Sequence, residues 1–164
     1  MMTTTYTSQT PANADANDVR VMAGCNDALL AVGRVLLAVI FLMSGFQKFM
    51  DLSGVAAMLG SKGLPMPMVL AAVSATVELG GGLLIVIGWQ TRIAALALGL
   101  FTLVAAYYFH DFWHMPEGAE RTDNMIHALK NLSIFGSFLM LAAVGAGRYS
   151  VDGPCTVHVP PTIT

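Results

Sequence analysis

Hydrophobic and polar positions along the chain sort into four long apolar stretches between polar ends. Residues 28–46 carry one charge, Arg34, and residues 69–89 carry one, Glu78. Residues 93–109 carry none, and 125–146 carry only Lys130, with His127 close before it. A helix rising 1.5 Å per residue needs roughly 20 residues to cross a hydrocarbon layer of ~30 Å, so each stretch is long enough to span. None shows the period of two expected of a barrel strand. The pattern predicts an all-α protein, a four-transmembrane-helix bundle over residues 28–146 with polar tails at 1–27 and 147–164.

The connections fit this division. Trp89-Gln90-Thr91-Arg92 allows only a tight turn, so the second and third spans form an antiparallel hairpin. The link 47–68 is longer, and within it Leu52, Val55, Ala56 and Leu59 recur at helical spacing. That spacing predicts a short interfacial helix capped by Asp51 or Ser53. Gly63, Pro65 and Pro67 then break the chain before the second span. Residues 1–27 have no apolar run and no signal-peptide pattern, and are expected to be a disordered tail.

An even number of spans puts both termini on one side. Arg20, Arg92 and Arg148 on that side balance Lys48, Lys62 and Arg121 on the other, and the acids of the opposite loops tilt the choice towards cytoplasmic termini.

Composition sharpens the class. Hydrophobic residues make up 55% and charged residues 11%, against roughly a quarter charged in ordinary soluble domains. With 8 Lys+Arg and 10 Asp+Glu the net charge is −2, which excludes a basic nucleic-acid-binding face. So much apolar surface also excludes a disordered chain. The expected environment is a lipid bilayer. Cys25 and Cys155 are too far apart to form a CxxC pair. They are either two free thiols or, if both face an oxidising compartment, a bridge.

Charges inside a bilayer cost at least ~2.5 kcal/mol by insertion scales and usually face a partner or a cavity. Measured from the face carrying the 47–68 and 110–124 loops, Lys48 lies near the surface, Lys130 roughly 8 Å down, Glu78 roughly 13 Å and Arg34 roughly 20 Å. Glu78 is thus expected between Lys130 and Arg34. Arg34, Phe41, Gly45 and Lys48 share a stripe of the first span, while Ser74, Glu78 and Gly81 or Gly82 share one of the second. His127, Lys130 and Asn131 share one of the fourth. These faces converge on a polar pocket, serving either as an ion pair that fixes helix register or as a site for a quinone, an anion or a transferable proton. His110 and His114, four apart, and His127 nearby have the geometry of metal or haem ligands. Interfacial histidines beside Tyr107, Tyr108, Phe112 and Trp113 are the simpler reading, so no metal or haem is expected.

The stretch RVLLAVIFLMSGFQKF (34–49), the segment ELGGGLLIVIGWQTRIAAL (78–96) and the ending GAGRYSVDG (145–153) together resemble the DoxX family of four-helix bacterial membrane proteins. The resemblance covers residues 30–153. It implies Arg34, Lys48, Glu78, Gly80, Gly81 and Asn131 as family-pattern positions, and a redox or quinone-associated role.

The combined expectation is a membrane subunit of a quinone-linked or sulfur/thiol redox system in a bacterial inner membrane, with catalysis of its own left open. Glu78, Arg34 and Lys130 form its working cluster, and Lys48, Gly81, His127 and Asn131 contact a quinone or small anion. His110 and His127 are candidate proton carriers, and soluble or membrane oxidoreductase subunits are the expected partners. Two other classes fit the same stripe: a small-solute transporter or channel protomer working as a homo-oligomer, and a scaffold that recruits a soluble enzyme.

Overall fold

A computed structural model describes residues 16–153, with side chains from residue 26 onward. Five helices follow one another: α1 (Ala16–Met50), α2 (Leu52–Ser61), α3 (Pro67–Ile87), α4 (Thr91–Phe109) and α5 (Ala119–Val144). A 3₁₀ turn, Phe112–His114, lies between the last two. Four segments are long and apolar enough to cross a membrane: Asn26–Met50, Pro67–Ile87, Thr91–His114 and Ala119–Val144. The bundle is all-α, as the hydropathy pattern predicts. α1 begins at Ala16, within the polar stretch 1–27. The side chain of Cys25, and Cys155 altogether, lie outside the described residues, as does the rest of the polar C-terminus.

Each boundary has a local cause. Asp51 separates α1 from α2, and its Oδ1 accepts from the Gly54 backbone N–H at 2.9 Å, satisfying one of the donors a helix start leaves unpaired. Pro67 opens α3, where its missing N–H costs nothing. Gly88 closes α3 in the left-handed conformation, φ 68°, and Trp89 N–H donates back to the Leu84 carbonyl at 3.0 Å. The α3–α4 turn is then only Gly88, Trp89 and Gln90 long.

Packing runs in a chain, α1 on α3, α3 on α4, α4 on α5. Ala38, Phe41, Ile85, Ala94, Ala95, Leu98, Phe138 and Leu141 form the core. Close approach depends on glycine at two seams. A Cβ on Gly45 of α1 would sit 2.6 Å from the Leu79 backbone nitrogen of α3, and one on Gly81 of α3 would sit 2.8 Å from Leu98 Cγ of α4. Such seams replace, in lipid, the hydrophobic drive that holds soluble helices together. The short helix α2 does not merely rest on the membrane surface. Ala56 and Leu59 are buried against Ala71 of α3, so α2 forms a roof over one end of the bundle.

At the opposite end residues 147–153 fold back under the α3–α4 turn. Val151 and Asp152 donate their backbone N–H groups to the Ile87 and Gly88 carbonyls at 3.2 and 2.8 Å. The Asp152 carboxylate accepts from Gln90 N–H and Thr91 N–H, both at 2.8 Å, and so caps α4 from sixty residues further along the chain. Arg148 N–H reaches Asp27 Oδ1 at 3.1 Å, which places the start of the first span and the end of the last on one face.

Outside this core the surface is apolar. Leu29, Leu36, Met43, Ile93, Leu100 and Met140 are each more than half exposed, a distribution suited to lipid contact.

Candidate functional site

Beneath the roof formed by α2, a cavity of about 800 Å³ opens between α1, α3, α4 and α5. Its walls are mainly aliphatic and aromatic, among them Ile40, Phe41, Val73, Phe101, Val104, Tyr108 and Ile134, with Val55, Met58 and Leu59 of α2 above. Into this apolar wall are set Lys48 and Glu78, whose Nζ and Oε2 lie 2.5 Å apart. Lys48 Nζ also donates to Ser44 Oγ at 2.7 Å, one helical turn earlier. The Glu78 side chain is 7% exposed and that of Lys48 22%, so the pair is screened from water. An ammonium carries three donors. Glu78 and Ser44 occupy two, and the third is available to an acceptor inside the cavity. Asn131 and His110 line the same space, and the His110 Nδ1 is buried without a hydrogen-bond partner.

Of the residues expected at the site, the fold brings Glu78, Lys48, Asn131 and His110 together. His127 stands at the margin, its ring stacked on His110 with centroids 5.0 Å apart and planes 14° from parallel. Four others lie elsewhere. Arg34 is 2% exposed but turns away from Glu78, donating to the Tyr149 carbonyl at 2.5 Å and the Ile85 carbonyl at 3.4 Å. Gly88 lies against the Arg34 guanidinium and Ser150, and a Cβ there would overlap both. Arg34 is therefore an anchor for the returning segment 147–153. Lys130 points outward and is exposed, away from the cavity. Gly81 faces Leu98 in the α3–α4 seam. His114 bonds Asp111 at 2.7 Å with three quarters of its side chain exposed. Among the described residues, no group of three or more His, Cys, Asp or Glu could hold a metal ion.

One rule of helix geometry accounts for the rearrangement. A side chain leans towards the N-terminus of its own helix. On α1 this sends Lys48 inward, back past Ser44, and sends Arg34 outward to the face where Tyr149 lies. On α3 it tips Glu78 towards Lys48. On α5 it tips Lys130 towards the loop face, where an ammonium can reach water. Ser44 could have been found from its place one turn before Lys48. The part α2 plays in the wall could not, because its apolar stripe reads equally well as lipid-facing.

A second space, about 710 Å³, lies between α1 and α5 on the other side of the Phe41–Phe138 contact and is lined by Leu30, Leu37, Met140 and Val144 with Arg34 at its edge.

Comparison with known proteins follows the same outline. The DoxX family pattern matches residues 29–111. Inner membrane protein YphA of Escherichia coli (strain K12) is 39% identical over 124 residues, 76% of this chain and 88% of that protein. Inner membrane protein YqjF of the same organism is 35% identical over 134 residues, 80% of this chain and 95% of that protein. A shorter match, 41% identical over 73 residues, covers 44% of this chain and 52% of a Bacillus subtilis (strain 168) protein named "Putative oxidoreductase CatD". No solved structure matches.

Proposed function

This chain belongs to the DoxX family, and from that premise we propose that it is an inner-membrane subunit of a quinone-linked redox system, holding a quinone beside Lys48 and Glu78. The observation that carries the reading is a buried ion pair set into the wall of an otherwise apolar cavity of about 800 Å³. Sites for small organic ligands combine an apolar body with a few placed polar groups in this size range. A quinone has that shape, a ring and hydrocarbon tail bearing carbonyl oxygens. A free anion fits less well, since Glu78 already neutralises Lys48. The inner-membrane setting and the redox link rest on the names of the relatives.

A bound quinone supplies two-electron, two-proton chemistry. The chain's own residues bind and orient it. Lys48 donates its remaining N–H to a carbonyl oxygen, and Glu78 and Ser44 hold that ammonium in place. Asn131 offers a further donor and acceptor. Phe41, Phe101 and Tyr108 cover the ring and exclude water. The Glu78 carboxylate can accept or release a proton beside the ligand. Electrons come from an oxidoreductase partner.

Native mass spectrometry of the protein released gently from the membrane tests this. The wild type should carry a mass in the quinone range. Lys48→Met should lose it by about tenfold or more, the scale of one hydrogen bond from a charged donor. A wild type that carries only phospholipid would overturn the reading and favour a transporter or scaffold.

A further inference from the structure

Asp123 and two histidines at the mouth of the cavity form a polar line from the surface to it. Asp123 is 72% exposed, and its Oδ2 lies 3.6 Å from His127 Nε2. The His127 side chain is 45% exposed and its ring stacks on His110. His110 lines the cavity with Nδ1 buried and unpaired. A buried nitrogen with no partner loses free energy in a fold that could have placed an apolar side chain there.

We propose that Asp123, His127 and His110 form a proton relay that connects the loop-side water to the Lys48–Glu78 cavity. The proposal rests on the reading of that cavity as a redox ligand site, where reduction consumes protons that the apolar walls keep out. Asp123 stands beside His127 at the water side, its Oδ2 3.6 Å from Nε2. A proton enters on His127 from bulk water, and His127 returns to neutral as it gives the proton up. Nearly parallel rings cannot bond to each other directly, so one water molecule at their edges carries the proton across. His110 gains it on one ring nitrogen and loses one to the cavity from the other, ending in its opposite tautomer. A ring flip resets it. The proton finishes on Glu78 or on a reduced ligand oxygen, and no electron moves through the relay.

The other groups around His110 fit this role. Asn124 and Asp123 of α5 also lie close to His110. Asp111 is occupied by His114 and Arg121 by Glu117. Lys48 and Glu78 face it only across the cavity.

The test uses the protein in phospholipid vesicles with no quinone added. After a rapid drop in outside pH, infrared spectroscopy follows protonation of the Glu78 carboxyl, assigned as the band missing in Glu78→Gln. His110→Gln should slow that step by about tenfold or more, the lower end of what a placed acid–base group contributes. Asp123→Asn should slow it less. His127→Gln should slow it in the wild-type buffer and be rescued by added imidazole, which a merely structural role would not show. Circular dichroism confirms that each variant folds. An unchanged rate in folded His110→Gln would overturn the relay and leave direct water entry as the route. Because no ligand is present, this result is independent of whether a quinone binds.

Discussion

Lys48 and Glu78 would each be expensive alone in a bilayer, and the structure tolerates them by setting one against the other. Lys48→Met leaves a carboxylate 7% exposed with no counter-charge, at a cost of about 3 kcal/mol. Lys48→Met combined with Glu78→Leu should recover most of that loss in reversible unfolding in mixed micelles. Losses that simply add would show that the pair is not coupled. The sequence made Glu78 conspicuous, a lone acid in a hydrophobic run followed by glycines, and Lys48 and Asn131 were legible as members of the same pocket. The partner of Glu78 was not legible. Depth along straight axes ranks Cα positions, whereas a lysine or arginine places its charge several ångströms away, and the lean towards the helix N-terminus moved Lys48 in and Arg34 out.

Among the elements, the segment 147–153 departs furthest from its expectation, a polar tail becoming a fastening for α3, α4 and α1. Asp152 is the clearest part of it to test. Its carboxyl lies below the ordinary value of 3.8, chiefly because the Thr91 backbone N–H donates to the charged form, with the Gln90 N–H and the Arg34 charge adding to it. A carboxyl lowered by folding contributes stability at pH values above 3.8, and that contribution disappears as pH falls through the lowered value. Asp152→Ala should therefore cost about 1 kcal/mol at neutral pH, the usual worth of a helix cap, and should differ less from wild type in strong acid. Thermal melts across the pH range read this directly, and a constant difference would refute it. No local pattern announces such a cap, because the acceptor and the helix it serves are far apart in sequence. Asp51, which caps the helix beginning beside it, was legible for the opposite reason.

Across the whole molecule, the spans follow hydropathy, while the arrangement between them follows contacts that only the assembled bundle has. The α1–α5 seam shows this. The Phe41–Phe138 rings touch at 5.3 Å between centroids, and a cavity lies on either side. Arg34 imposes an order of events during synthesis. Its acceptor, the Tyr149 carbonyl, is made 115 residues later, on the order of ten seconds at ribosomal rates. Until then the charge on the first helix has only the long 3.4 Å contact to the Ile85 carbonyl, and so poorly satisfied a segment is the kind that quality-control proteases extract. The bundle is sealed only when its last described residues arrive, so a chain stopped after residue 146 should insert and then decay several-fold faster than the full chain in a pulse-chase. Equal lifetimes would mean that Arg34 finds relief in the membrane without Tyr149.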